Sequence, residues 1–396
     1  MVQFTEEQEN LISKAINWFN NSSEQIFEYA GSAGTGKTLV ASEIINRLNL
    51  SFDNVAPCAY TGAASIVLRT KGLVSAKTIH SWIYEPKTII DYTKPPNYLG
   101  RYPTKVIFVK KDLPRSIKLI LVDEAGYVPM NIKKDLESTG IKILACGDLN
   151  QLPPIMSDPG FLTDNSNVHR LTKIMRQGES SPIVYIANLI LQDKPIQSGH
   201  YGNVYVCYPD DITDEMMKHS DAIICGKNNT RDHYNKQMRI LKGIDPDSKM
   251  PHHNEKIICR KNNWQYAVDG INLANGLSGK VYSYPDITCY DGKTYQIDFK
   301  PNLLNCLFKD IRCNAEFFHA SRERKEELKT IKYGVDGELF ELGYAITTHI
   351  AQGSQFKHGM YISEYMTKEI NKHLDYTGIT RFSNTCIYIL KPRKFY

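Results

Sequence analysis

The sequence predicts an α/β fold: two domains on mainly parallel sheets, the second carrying a small β-rich insert. Three observations lead there. Strand-like apolar runs alternate with helix-spaced segments in both halves, the pattern of a parallel sheet covered by helices on both faces. A glycine-rich run, Gly31-Ser-Ala-Gly-Thr-Gly36-Lys37-Thr38, joins the first such strand to the helical text after it. Between about residues 255 and 300 the alternation gives way to short β-like runs separated by turns. At 396 residues the chain is also too long for one ordinary hydrophobic core, which calls for two or more domains.

Taken in order, Thr5 to Phe19 predicts an opening helix, with Thr5 as its cap and Gln8 at capping-box spacing. Ile26 to Ala30 predicts a strand feeding the glycine loop, and Leu39, Val40, Ile44, Ile45 and Leu48 recur at helical spacing beyond it. Val55 to Tyr60, Ile117 to Val122 and Ile141 to Ala145 predict further strands. A second alternation starts with strands at Val204 to Cys207 and Ala222 to Cys225 and a helix from Asn228 to Leu241. It is interrupted by β-like text that includes Asp291-Gly292, a hairpin signal. The charged stretch from Ala320 to Lys332 predicts a helix with a solvated face that closes the insert. Strand text resumes at Tyr344 to Thr348, Met360 to Ser363 and Thr385 to Leu390. The expected domains are 1–175, then 176–250 with 335–396, with 251–334 as the insert.

A content of 42% hydrophobic and 23% charged residues excludes a disordered or fibrous chain. No apolar stretch is long enough to span a bilayer, and the first ten residues lack a basic start or apolar signal core, so the cytoplasm is the expected compartment. The nine cysteines are scattered without Cys-x-x-Cys or zinc spacing, which predicts reduced, packed thiols. A net charge of +5 permits nucleic-acid binding without demanding it. More telling is the run from Arg101 to Lys118, with six basic residues against the single acid Asp112. Its expected partner is nucleic-acid phosphate, and a merely solvated hairpin is the alternative. The 24 tyrosines offer flat faces on which bases can stack.

Gly31 to Thr38 fits G-x-x-x-x-G-K-[ST] without exception. Such glycines, Gly31, Gly34 and Gly36 here, turn backbone N–H groups toward phosphates, and the helix behind presents its positive end. Thr35 completes the loop; Lys37 would reach the β- and γ-phosphates of ATP, and the Thr38 hydroxyl would ligate Mg2+. The apolar run Ile117 to Val122 ends in Asp123-Glu124, at the sheet edge where open α/β folds bind ligands. Asp123 would hold the metal, and Glu124 would orient or deprotonate the attacking water.

From residue 5 to about 390 the text resembles superfamily 1 DNA helicases of the RecD/Dda-like branch. Gly147-Asp148-Leu-Asn-Gln151-Leu-Pro-Pro154 is similar to the motif whose glutamine couples nucleotide to DNA. Ala56-Pro-Cys-Ala-Tyr-Thr61 matches a motif that contacts the DNA backbone, and Thr78-Ile-His80 one that touches single-stranded DNA. Leu171-Thr-Lys-Ile-Met-Arg176-Gln177 and Tyr376-Thr-Gly-Ile-Thr-Arg381 resemble the motifs that supply two arginine fingers. Tyr344 to Phe356, with Thr348, His349 and Gly353, resembles the motif preceding the last.

The resemblance implies two RecA-like P-loop NTPase-type domains, with a small β-barrel at 255–332 and an inserted wedge hairpin at 84–118. The catalytic set would be Lys37, Glu124, Gln151, Arg176 and Arg381; the DNA set would be Thr61, Thr78, His80, Thr348 and His349. His80 and His349 are equally readable as ordinary packed or surface histidines. Gln8 matches the family position that reads adenine, and the capping box is the competing reading. Trp264 is better read as packing the barrel than as a base-stacking platform. Tyr84, Tyr92, Tyr98, Tyr102 and Phe108 are the candidates for the wedge tip. Two departures stand out: Gln355 where many relatives carry glutamate, and the shortness of the hairpin.

The activity implied is that of a monomeric, DNA-dependent ATPase that moves 5′→3′ on single-stranded DNA and unwinds duplex at single/double-strand junctions. Its further partners would be a single-stranded-DNA-binding protein or replication and recombination proteins. A protein-displacing translocase is the nearest alternative. A P-loop small-molecule kinase is the rival of a different class, because it uses the same glycine loop but has no use for paired arginines or a DNA-facing hairpin.

Overall fold

Two parallel sheets organise the larger part of the chain. The computed structural model describes residues 3–93, 95–96, 100–154, 157–163, 167–173, 181–284, 292–330 and 337–392. They form two units: Met1–Ala76, Arg115–Pro246 and Gly343–Tyr396 make the first, and Lys77–Pro114 with Asp247–Leu342 the second. Arg176, Tyr98 and Asp291 lie outside the described residues, as does the side chain of Trp264.

In the first unit, one sheet contains the strands Val55–Ala59, Leu119–Asp123, Lys142–Gly147, Ile26–Gly31 and Val168–Leu171 in that spatial order, all parallel. All five residues of Val55–Ala59 and of Leu119–Asp123 are buried, because helices cover the sheet and leave no polar face to alternate with. The opening helix, Glu6–Asn21, carries the expected Thr5–Gln8 capping box. It packs Leu11, Ile12, Ala15 and Trp18 into one core with Val40, Ala41, Ile44 and Ile45 of the helix Lys37–Arg47. Each such aliphatic side chain contributes about 1.5–3 kcal/mol by leaving water, so this core fixes the loop between strand and helix.

The second sheet runs Ala345–Thr347, Ala222–Cys225, Phe356–Ile362, Phe382–Ile389, Val204–Cys207 and Gly199–Tyr201. Its strands are parallel except the last, which pairs antiparallel at the edge. The edge strands Val168–Leu171 and Gly199–Tyr201 and the helix Pro182–Leu191 go beyond the sequence reading. The two strands are too short and too polar to show a period of their own; pairing with a neighbour makes them strands.

The second unit holds an antiparallel hairpin, Tyr84–Ile90 with Thr104–Lys110, in register from Tyr84↔Lys110 to Ile90↔Thr104. At its turn end Asp91 accepts from Thr93 Oγ1 at 2.6 Å and pairs with Lys105 Nζ at 3.1 Å. The unit also holds an antiparallel sheet ordered Phe308–Asn314, Thr294–Pro301, Ser278–Ser283, Lys256–Cys259 and Phe340–Leu342. A parallel bridge between Cys313 and Glu338 links its first strand to the lead-in of its last. The expected charged helix forms at Arg322–Thr330, but it is more than a solvated face. Leu328, 3% exposed, packs with Phe317 and Leu339, and Lys325 Nζ lies 3.6 Å from Glu341. One apolar residue per two turns is too sparse to show as a period against eight polar neighbours.

Candidate nucleotide site

The glycine run forms the tight turn its residue types require. Gly34 and Gly36 adopt φ of 88° and 81°, in the left-handed region, and Gly36 caps the helix that Lys37 opens. A Cβ on Gly31 would collide with Thr35 Oγ1, so the loop closes on itself at that point. Lys37 Nζ donates to the Gly31 and Ser32 carbonyls at 2.7 and 3.1 Å, which draws the ammonium over the loop. Tyr29 anchors the helix start by donating to the Lys37 carbonyl at 2.8 Å.

Gln8 does two jobs within the protein. Its Oε1 accepts from Thr5 N at 3.0 Å, completing the capping box, and its Nε2 donates to the Thr35 carbonyl at 3.0 Å. The residue is 1% exposed. Both ends of the amide are thus engaged, one in the helix cap and one in the phosphate loop.

The carboxylate strand ends beside this loop. Asp123 Oδ2 accepts from Thr38 Oγ1 at 3.4 Å, while Oδ1 accepts from Glu124 N at 3.0 Å and Cys146 Sγ at 3.3 Å. Burial and the Asp123 charge push the Cys146 thiol well above its ordinary range, so it remains a donor. A hydroxyl and a carboxylate oxygen this close form a hard-oxygen pair suited to Mg2+. Glu124 itself has φ 52°, ψ 40°, a left-handed conformation uncommon for a glutamate.

Facing Glu124 is Arg381, 6% exposed, at the junction between the helix Lys368–Ile379 and the strand Phe382–Ile389 of the second sheet. Its NH1 lies 3.3 Å from Glu124 Oε1, and its Nε donates to the Thr377 carbonyl at 3.2 Å. Gln151 completes the group: with its amide nitrogen assigned toward the carboxylate, as the neighbouring charges require, it donates to Glu124 Oε2 at 3.1 Å and accepts from Arg381 NH2 at 2.9 Å. Burial pushes the Glu124 carboxyl up; the charges of Arg381, Lys37 and Lys71 outweigh it and leave the group below its ordinary range.

These residues enclose a cavity of about 580 Å3, lined by Lys37, Asp123, Glu124, Gln151 and Arg381, with Gly353 and Gln355 on the side of the second sheet. Its walls are tied together. Tyr376 donates to Asp148 Oδ2 at 2.7 Å and accepts from Ala33 N of the phosphate loop at 3.0 Å. Leu152 N donates to Thr377 Oγ1 at 3.1 Å, Gln352 Nε2 donates to the Leu152 carbonyl at 3.0 Å, and His373 Nδ1 meets the Asn150 carbonyl at 2.8 Å. The segment Asp148–Leu152 is therefore held between the phosphate loop and the helix that delivers Arg381.

The residues expected at DNA are less uniform. Thr61 and Thr78 cap short helices, accepting from Ala64 N and Ser81 N at 3.2 Å each. His80 is half-buried and its ring lies 5.4 Å from that of Tyr84. Thr348 is fully buried and donates to the Cys225 carbonyl at 3.2 Å, which removes its side chain from any exposed surface. His349 is half-buried, and burial lowers its pKa. Gly353 has φ 79°, and a Cβ there would lie 2.8 Å from Thr61 Oγ1, so the cavity wall and the Thr61 helix meet at this residue. Sequence reasoning gave no role to Tyr376 or Lys71. The tyrosine stands inside a quoted motif, but nothing in local spacing shows which residue it reaches.

Residues 3–200, half of the 396-residue chain, match the AAA domain family. The chain is 30% identical over 165 residues to "ATP-dependent DNA helicase PIF1" of Saccharomyces cerevisiae, a match covering 39% of this chain and 18% of that protein. It is 29% identical over 173 residues to "ATP-dependent DNA helicase RRM3" of the same species, covering 39% of this chain and 21% of that one. The chain thus spans about a fifth of the length of these relatives. Among solved structures, the Pif1 helicase from Candida albicans superposes with a TM-score of 0.55 at 17% identity, covering 98% of this chain and 94% of that one. The Pif1 helicase from Bacteroides in complex with ADP-AlF3 and ssDNA gives 0.55 at 18% identity, covering 98% and 92%. Because the phosphate loop, the carboxylate strand and the whole first sheet fall inside the matched residues, the chain belongs to the AAA domain family, and its fold is that of the solved Pif1 helicase structures.

Proposed function

We propose that the chain is an ATP-dependent DNA helicase that moves 5′→3′ on single-stranded DNA and separates duplex ahead of it. One observation carries this reading: Arg381 of the second sheet reaches Glu124 of the first across the phosphate cavity. A small-molecule kinase has no need of a cation delivered to the phosphate site by a second parallel sheet. A motor needs one, because nucleotide turnover must pull two sheets together and release them.

In the chemistry that follows, Lys37 and the loop N–H groups hold the β- and γ-phosphates. Thr38 and Asp123 would hold Mg2+, which neutralises charge on the bridging oxygens. Glu124 orients a water and takes its proton as the oxygen attacks the γ-phosphorus and the bond to the bridging oxygen breaks. Arg381 stabilises charge on the equatorial oxygens, and Gln151, bonded to both, links them to the Asp148–Leu152 segment. Arg176 is proposed as the second finger on the strength of its motif alone. The DNA contacts proposed are Thr61, Thr78, His80 and His349, with single-stranded DNA and strand junctions as ligands. The domain reading is 1–175, then 176–250 with 335–396, with 84–118 and 251–334 as inserts.

The test is ATP hydrolysis with and without single-stranded DNA, in wild type and Glu124→Gln. DNA should raise the rate severalfold in wild type, and Glu124→Gln should abolish it in both conditions. A wild-type rate indifferent to DNA would sink the motor reading. Duplexes with 5′ or 3′ tails then test polarity.

A further inference from the structure

We propose that Lys71 is a further cation of the phosphate site, contacting the terminal phosphate of ATP and favouring the triphosphate over the diphosphate. This role rests on the ATPase reading above. Lys71 belongs to neither phosphate motif, yet it lines the cavity, and its Nζ donates to Thr38 Oγ1 at 3.1 Å. Thr38 is the hydroxyl expected to ligate the metal between the β- and γ-phosphates. Lys37 Nζ lies over the Gly31 and Ser32 carbonyls of the glycine loop, whereas Lys71 enters the same cavity from the end of a different helix. Arg381 closes it beside Glu124.

The placement is built into the backbone. Lys71 is the C-cap of the helix Gly62–Thr70, and Gly72 follows at φ 96°, with open space around the position a Cβ would take. That turn lets Leu73 N donate back to the Leu68 carbonyl at 3.2 Å, and both leucines are buried. The root of Lys71 is thereby pinned while its exposed side chain remains free to follow the ligand. The plain alternative is a surface lysine that complements the helix C-terminus. A helix-cap lysine would not distinguish a triphosphate from a diphosphate.

The experiment is calorimetric titration of the full chain with AMP-PNP and with ADP, both with Mg2+, for wild type, Lys71→Ala and Lys71→Arg. Lys71→Ala should weaken AMP-PNP binding about tenfold, the scale of one charge-assisted hydrogen bond, and leave ADP unchanged. Lys71→Arg should recover most of the loss, and all three proteins should melt together. Unchanged AMP-PNP affinity in Lys71→Ala, or an equal loss for both nucleotides, would overturn the assignment while leaving the ATPase reading intact. A wild type that binds neither nucleotide would overturn both.

Discussion

The guanidinium of Arg381 lies 3.3 Å from the carboxylate of Glu124, across 257 residues of sequence and from one sheet to the other. Both side chains are largely buried, at 6% and 23% exposure, so the pair acts in a poorly screened environment. Arginine here is both the partner that keeps Glu124 ionised and the cation proposed to meet the γ-phosphate. Arg381→Ala is expected to lower kcat for ATP about 10³-fold or more while the chain still binds nucleotide through Lys37. A kcat within threefold of wild type would separate Arg381 from the chemistry.

The same pair sets a pH dependence. The Glu124 carboxyl lies below its ordinary 4.5 in the folded chain, because Arg381, Lys37 and Lys71 outweigh its burial. A depressed acid contributes stability that is fully present above its unfolded pKa and is lost as pH falls through the folded one. The stability of wild type relative to Glu124→Gln should therefore be greatest at neutral pH and shrink as pH drops below about 4.5. Paired thermal melts across that range check the sign. A gap that widened toward acid would mean that burial, not the cations, governs Glu124.

Gln8 separates two readings that the sequence left side by side. Its amide joins the helix cap to the Thr35 carbonyl of the phosphate loop, using one N–H and one lone pair and leaving one of each for a base. Gln8→Ala should cost about 1 kcal/mol of stability, as loss of a cap does, and raise KM for ATP and GTP alike. If the change instead erased a preference for ATP over GTP, the adenine reading would hold.

The legibility of this chain follows the range of each signal. Gly31 to Thr38 and the Ile117 to Glu124 run are local, since a turn needing left-handed glycines and a doubly covered strand write themselves into adjacent residues. The two-sheet alternation was legible for the same reason: the strands expected in the first sheet lie within two residues of their predicted bounds, whereas Phe356–Ile362 and Phe382–Ile389 begin four and three residues before theirs. The edge strand Val168–Leu171 was not, because its pairing with Ile26–Gly31 comes from elsewhere in the chain. Tyr376, Gln352 and Lys71 were invisible for a similar reason. Their functions lie in which distant backbone or hydroxyl they touch, and no period or spacing encodes that.

Tyr376 is where the walls of the cavity meet. Its hydroxyl is shared between Asp148 and Ala33 N, so Tyr376→Phe leaves a buried carboxylate oxygen and a loop N–H each short of a partner. The expected cost is about 1–3 kcal/mol, with a fall in DNA-stimulated ATPase larger than the fall in basal ATPase. Equal falls in both would reduce Tyr376 to a packing residue.

The hairpin carries the last prediction. Tyr92 and Tyr102 lie beyond the paired strands, 71% and 42% exposed, with ring centroids 5.0 Å apart in an edge-on arrangement. Two large exposed aromatics side by side offer a face to a ligand, and the T-shaped pair presents a stiff edge against which a base pair can be broken. Asp91 and Lys105 brace the turn just beneath them. Tyr92→Ala and Tyr102→Ala should therefore reduce the unwinding of tailed duplexes severalfold, while ATPase on single-stranded DNA stays at the wild-type rate. The split matters because a hairpin that merely binds the tracking strand would lose both activities together. Phe108, 49% exposed but within the paired strand, serves as the control: Phe108→Ala should leave unwinding closer to wild type than either tyrosine change. If Phe108→Ala were instead the most damaging of the three, the strand face would be the wedge and the tip only its support.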